Sequence, residues 1–268
     1  MSIMIGQNKL NNKLNILTLD SMPRSLILLG ESGCGKKMYS QLIADKLNLK
    51  LINITNNLNL DYLIELKMRV EPYLYLIEAS QITLREQNII LKFLEEPLKN
   101  SYIIITCEDQ SLLLDTVWNR CQRWCFETYT EDELLKFTPH KDYIKIFKTP
   151  GKLINLNNDS IDINSIISLC NKIINKIGVA TLPNTLTIFN NIAFKDEKDK
   201  INLNLFKDIF LYVIEDALIK EGKDKPVLFS MYKVIKDYLY KSKLPKIDQK
   251  PLFDNMLINL WEVSRVGA

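Results

Sequence analysis

The sequence predicts an α/β domain built on a parallel sheet, followed by segments that are helical to the end of the chain. Three observations carry this. Short apolar runs alternate with stretches of helical periodicity as far as Phe126, the pattern of strands and covering helices in a parallel sheet. Gly30, Gly33 and Gly35, three of only eight glycines, fall in one short turn. After Phe126 the strand signals stop.

The elements follow in order. Ser25-Leu26-Ile27-Leu28-Leu29 is a short apolar run, as a buried parallel strand requires. Behind the glycine turn, Met38, Leu42, Ile43, Ala44 and Leu47 recur at helical spacing, and Asn48 is placed to end that helix. Tyr73-Leu74-Tyr75-Leu76-Ile77 is a second strand, ending in Glu78-Ala79-Ser80. Thr83 then caps a helix, with Glu86 at the capping-box spacing. That helix carries Ile89, Ile90, Phe93 and Leu94 and stops before Pro97. Tyr102 to Thr106 is a third strand and Arg123 to Phe126 a shorter fourth. Thr130 to Phe137 opens a helix with Glu133 at the capping-box spacing, and Pro150-Gly151-Lys152 opens another. From Asp159 the pattern is helical, punctuated near Gly178, Pro183, Gly222, Pro226 and Pro245. Phe206, Ile209, Phe210, Val213 and Ile214 make one apolar face; Leu257, Ile258 and Trp261 lie on the last helix. Such faces are core. The run Lys195 to Lys200 reads as a solvated loop.

Composition excludes several classes. Hydrophobic residues are 47% and charged residues 25%, which rules out whole-chain disorder. No apolar run approaches the roughly 18–20 residues of a membrane span, and the N-terminus lacks the basic-then-apolar order of a signal peptide. Five cysteines, none in a Cys-x-x-Cys pair, argue against a disulfide framework or a zinc ribbon and for a reducing cytoplasm. The net charge of +3 permits contact with a polyanion without requiring it. The richness in Lys, Asn, Ile and Leu fits an AT-rich genome.

The strongest motif is Gly30-Glu31-Ser32-Gly33-Cys34-Gly35-Lys36-Lys37. It fits G-x-x-x-x-G-K between a strand and a helix. Glycines there let backbone N–H groups curl around phosphate oxygens, the helix N-terminus adds positive charge, and Lys36 reaches the β- and γ-phosphates. The eighth position departs from the motif. A hydroxyl belongs there to ligate Mg²⁺, and Lys37 offers an ammonium. The second strand repeats the defect. A Walker B strand ends in Asp-Glu, and here the pair is Ile77-Glu78. Two positions serving one ion are lost, so nucleotide binding is expected to survive without tight Mg²⁺ while hydrolysis is not.

The stretch from Glu78 through Leu91-Lys92-Phe93-Leu94-Glu95-Glu96-Pro97 resembles the clamp-loader form of the AAA+ module. Ile5-Gly6-Gln7 is similar to that family's N-terminal box. Asp115-Thr116-Val117-Trp118-Asn119-Arg120-Cys121-Gln122 is similar to its Thr-Ile-x-Ser-Arg-Cys segment, with Asn119 where the family has Ser. Lys148-Thr149-Pro150-Gly151-Lys152-Leu153 resembles its lid segment, and Phe253 to Leu260 the last helix of its collar domain.

The resemblance implies roles. Arg120 matches the arginine finger that enters a neighbouring subunit's ATP site. Glu78 is a residual Walker B carboxylate. Thr106 matches sensor 1, and Lys152 stands near sensor 2. Arg85 and Lys92 lie on or beside the helix that follows the backbone of duplex DNA. The implied nucleotide contacts are Gly30, Gly33, Gly35, Lys36, Lys37, Thr106 and Lys152, with ATP or ADP as ligand. The zinc-binding cysteines of many bacterial relatives are missing between Lys37 and Tyr73, so no zinc is expected. Cys121 and Cys125, with Cys107 near them, read as buried thiols, and His140 is the only histidine.

The expected architecture is an AAA+ α/β domain over residues 1–127, a small helical lid over 128–158 and an all-α collar over 159–268. The expected role is a catalytically silent loader subunit that donates Arg120 to a neighbour. Its partners would be the ATPase and δ-like subunits, the sliding clamp, and primer–template DNA through the complex, with no membrane. Two other readings stay open: an ATP-hydrolysing loader subunit with a divergent Mg²⁺ site, and an AAA+-derived adaptor outside replication. The compact length, missing zinc module and AT-rich usage fit a phage or a small-genome bacterium.

Overall fold

Five parallel strands form the sheet: β1 Ser25–Leu29, β2 Lys50–Asn53, β3 Tyr73–Glu78, β4 Tyr102–Cys107 and β5 Gln122–Cys125, in the order β2-β3-β4-β1-β5. The computed structural model describes residues 4–69, 71–96, 101–158, 163–176, 203–221, 226–244 and 247–266. These fall into two compact units, Met1–Asn158 and Asp159–Ala268. The first is an α/β phosphate-loop domain; the second is helical.

Alternate residues of each central strand point to opposite faces, and both faces are covered. On one face Ile27, Tyr75, Ile77, Ile103 and Ile105 pack with Ile90 and Phe93 of helix α4, Leu84–Glu95. On the other, Leu26, Leu28, Leu74, Leu76 and Ile104 pack with Tyr39, Ile43 and Ala44 of α2, Lys36–Leu47. Tyr39 is fully buried, and its hydroxyl donates to the Leu10 carbonyl at 2.7 Å. That bond fixes α1, Asn8–Ile16, against α2.

The ends of these helices are where the sequence puts them. Asn48 closes α2 in the left-handed region at φ 53°. Thr83 and Glu86 form the reciprocal capping box of α4: the Glu86 N–H donates to Thr83 Oγ1 at 3.4 Å, and the Thr83 N–H to Glu86 Oε2 at 2.6 Å. Such a cap contributes about 1 kcal/mol. It also sets the start of the helix that supports the candidate site.

Short elements escaped the sequence. β2 has four residues at a sheet edge, and only Leu51 and Ile52 are partly covered, too short a run to register. α1 shows only Leu10 and Leu14 as buried apolar positions. α3, Leu60–Lys67, is capped by Asn59, whose Oδ1 accepts the Tyr62 N–H at 2.8 Å. α5 is one turn, Asp115–Trp118. The helix expected from Thr130 to Phe137 is shorter than its pattern. Thr130 and Glu133 do form a capping box, but α6 spans only Glu131–Leu134. α7, Lys141–Ile146, and α8, Pro150–Asn158, complete the first unit.

The second unit holds α9 Ile163–Lys176, α10 Leu203–Glu221, α11 Pro226–Lys241 and α12 Gln249–Val266. Phe206, Ile209, Phe210, Val213 and Ile214 are all buried, as their spacing predicts. Phe253 of α12 stands between Phe206 and Tyr238, edge-on to both rings at centroid distances of 5.8 and 6.0 Å. Leu257 is buried, while Ile258 and Trp261 are partly exposed. Pro97, Asp159, Gly178, Pro183, Gly222, Pro245 and the run Lys195 to Lys200 lie outside the described residues. Among the described residues no helix is long and apolar enough to cross a membrane.

Candidate functional site

β1 ends at Leu29, and the chain turns through Gly30 to Gly35 into α2. Gly33 and Gly35 have φ of +81° and +103°, values that glycine adopts without steric cost. The Gly30 N–H donates to the Cys107 carbonyl at 3.1 Å, which ties the turn to β4. A Cβ on Gly30 would stand 2.8 Å from the Phe126 Cβ, so the turn closes down on β5. Lys36 Nζ donates to the carbonyls of Gly30 and Glu31 at 2.6 and 2.8 Å.

A cavity of about 370 Å³ opens at this turn, at the carboxyl ends of the strands. Open α/β sheets bind ligands in that position. Ser32, Gly33, Gly35, Lys36 and Lys37 line it from the loop and α2. Glu78 and Ser80 line it from the end of β3, and Thr106 and Glu108 from the end of β4. Gly30 lies beneath, as a packing position.

The lysine that departs from the motif meets the carboxylate that is retained. Lys37 Nζ lies 2.8 Å from Glu78 Oε2. Gln81 Nε2 donates to the same oxygen at 2.9 Å, and Asn53 Nδ2 to Glu78 Oε1 at 3.1 Å. The Glu78 side chain is only 12% exposed. Three donors therefore hold both of its oxygens. Thr106 pairs with Glu78 across β3 and β4, and its hydroxyl donates to the Ile77 carbonyl at 3.4 Å. Ile77 is buried in the sheet core.

The start of α8 is docked on the loop. Thr149 Oγ1 donates to the Ser32 carbonyl, and the Gly151 N–H to the Gly33 carbonyl, both at 2.8 Å. A Cβ on Gly151 would stand 2.9 Å from the Gly33 Cα. Gly33 leaves no room for a side chain at Gly151, and Thr149 Oγ1, 2.7 Å from where a Gly33 Cβ would be, leaves none at Gly33. Lys152 packs on the loop, its nitrogen 3.0 Å and its Cγ 3.4 Å from where a Gly33 Cβ would be, and it is not among the cavity-lining residues.

Arg120 follows α5. Its Nη2 donates to Glu95 Oε1 at 2.7 Å and its Nη1 to the Thr116 carbonyl at 3.0 Å. Arg120 and Glu95 side chains are 40% and 52% exposed. Gln87 positions the segment that leads into α5. It is 3% exposed, its Nε2 donates to the Leu112 carbonyl at 2.9 Å, and its Oε1 accepts the Leu114 N–H at 2.7 Å. The sequence reading missed both Gln87 and Glu95. The signal for Gln87 was there: an amide on the apolar stripe that continues through Ile90 and Phe93. Arg85 and Lys92 are exposed on α4, seven residues apart and so on one face, and they are not among the cavity-lining residues.

Burial pushes the thiol of Cys34 up, that of Cys107 to about 11 and that of Cys121 to about 12. None is a thiolate near neutral pH. Cys125 ends β5 and is exposed, which corrects the expectation of a buried thiol there. Among the described residues no three His, Cys, Asp or Glu side chains gather to hold a metal ion.

Residues 67–130 match the family model described as DNA polymerase III, delta subunit. The DNA polymerase III subunit delta′ of Bacillus subtilis is 39% identical over 74 residues, 25% of this chain and 22% of that protein. That of Haemophilus influenzae is 30% identical over 71 residues, 26% of this chain and 22% of that protein. Across this stretch the chain is δ′-like. The δ′-like stretch carries Glu78, Arg85, Gln87, Lys92, Glu95, Thr106 and Arg120. The chain matches about a fifth of the relatives' length, and the phosphate loop and α8 lie outside the residues that the family model matches. Among solved structures, a DNA polymerase III gamma subunit-related protein of Thermotoga maritima is 14% identical, with a TM-score of 0.46 over 96% of this chain and 99% of that one. The Holliday junction branch migration motor RuvB of the same organism is also 14% identical, with a TM-score of 0.46 over 98% and 87%. Likeness at that level carries no argument about function.

Proposed function

We propose that this chain is a δ′-like subunit of a DNA sliding-clamp loader. In this reading it does not hydrolyse nucleotide itself, and it presents Arg120 to the ATP site of a neighbouring ATPase subunit. Its other partners are a δ-like subunit, the clamp, and primer–template DNA met through the complex. Arg85 and Lys92, exposed on one face of α4, would be the groups that meet duplex phosphates. The helical second unit would hold the subunits together as a collar.

The observation that carries the silent role is the Lys37–Glu78 pair. A hydrolysing site needs a hydroxyl and an aspartate on Mg²⁺, and a carboxylate free to polarise water. Here the hydroxyl position is an ammonium and the aspartate position is buried Ile77. The remaining carboxylate is tied by Lys37, Gln81 and Asn53. Nothing in that arrangement draws a proton from water.

One observation favours the competing reading of an active site with divergent metal ligands: Glu108 also lines the cavity. Single-turnover hydrolysis separates the two. The isolated chain, mixed in excess with ATP and Mg²⁺, is expected to release no phosphate above the uncatalysed background. Turnover at the median enzyme rate, about 10 s⁻¹, would establish the competing reading and end this one.

A further inference from the structure

We propose that the Lys37 ammonium stands in for the magnesium ion at this phosphate loop, so that a nucleoside di- or triphosphate binds here without a divalent cation. The inference rests on reading Gly30 to Lys36 as a phosphate loop, and not on the clamp-loader role.

Four features of the cavity lead to it. Lys37 sits in the first turn of α2 and Glu78 at the end of β3, and their 2.8 Å contact holds the ammonium at the end of β3. In a hydrolysing site the phosphate-loop hydroxyl and the Walker B aspartate, the positions of Lys37 and Ile77 here, bring their ion to this end of the sheet. Gln81 and Asn53 also hold that carboxylate. An ammonium has three N–H donors, and Glu78 takes one. The side chain is 62% exposed, so its other donors face the cavity and solvent.

A phosphate chain arriving in the loop would then meet two cations from one helix turn. Lys36 would leave the Gly30 and Glu31 carbonyls for the phosphate, and Lys37 would add a phosphate oxygen to its contact with Glu78. A divalent ion has no equivalent place. It would lie against the ammonium, and it would find a carboxylate whose oxygens already accept three hydrogen bonds. Mg²⁺ demands near-octahedral oxygen ligands and gives up its waters reluctantly. Magnesium in solution therefore competes with Lys37 for the phosphate oxygens instead of assisting.

Calorimetric titration of the full chain with ADP and with ATP tests this, once in EDTA and once in excess MgCl₂. The wild type is expected to bind ADP equally well in both, within about twofold, and to bind ATP more weakly in MgCl₂. Lys37→Thr, at an exposed helix position, is expected to lose about tenfold in affinity in EDTA, the size of one charge-assisted hydrogen bond. Lys37→Gln keeps the side-chain length without the charge and is expected to lose as much. A thermal melt of each variant shows that it folds. Binding that requires Mg²⁺ overturns the proposal. So does a wild type that binds neither nucleotide in either buffer, or a Lys37→Thr chain that binds like the wild type in EDTA. A chain that binds nucleotide in EDTA yet joins no clamp loader supports this inference and refutes the role proposed above.

Discussion

In a clamp loader assembled around this chain, Arg120→Ala is expected to lower hydrolysis at the adjacent ATP site by about 10³-fold, the lower end of what an arginine finger supplies in trans. The isolated chain gives no reason for an effect inside its own fold. Arg120 is half-exposed, and its guanidinium is held by Glu95 and the Thr116 carbonyl. An ion pair between side chains this exposed contributes about 0–1 kcal/mol. Releasing Arg120 toward a neighbour's phosphate is therefore cheap, and losing it should leave the chain's own stability nearly unchanged. Arg120→Lys is expected to recover little, because a point charge does not reproduce the planar fork that meets two phosphate oxygens. Glu95→Gln should leave the rate within about twofold of wild type, since the pair it removes is the weak one. Steady-state ATPase of the assembly, with clamp and primed DNA present, reads all three variants. A rate untouched by Arg120→Ala would return that residue to an ordinary surface ion pair.

Gln87→Leu is expected to cost about 2–4 kcal/mol of folding stability, with little change in side-chain volume. The amide satisfies two backbone groups at once, the Leu112 carbonyl and the Leu114 N–H. A leucine satisfies neither, and a buried polar group without a partner costs about 1–3 kcal/mol. The same two bonds set the path of the chain into α5, and Arg120 follows α5 directly. The variant should therefore show a lower denaturation midpoint in urea with an unchanged slope. In the assembly it should also show part of the Arg120→Ala defect. A loss below about 0.5 kcal/mol, the range of neutral surface changes, would mean that Gln87 does not hold this segment.

Much of this was legible before any coordinates. The phosphate loop, the two defects in the ion site and the capping box of α4 are local chemistry, written in consecutive residues. The three long strands were legible because burial on both faces demands unbroken apolar runs. β2 was not, because an edge strand of four residues needs no such run. α6 was overread. Its capping box fixes where the helix starts, and nothing in the pattern says that it ends after one turn. The contacts that matter most at the site come from distant positions. Lys37 meets Glu78, Gly151 faces Gly33, and Arg120 pairs with Glu95. Each partner was visible as a motif residue, yet only the fold brings them together. On the proposed reading, the same residue that removes a metal ligand at position 37 would supply a cation in its place.

The central claim is that this chain works inside a clamp loader and acts through its neighbours. Its most direct test is to mix the purified chain with the ATPase and δ-like subunits from its own source, separate the mixture by size, and measure ATPase stimulated by clamp and primed DNA. The account predicts one co-eluting assembly, with stimulated hydrolysis that appears only when this chain is present. A chain that elutes alone, and leaves the hydrolysis of the other subunits unchanged, would contradict it.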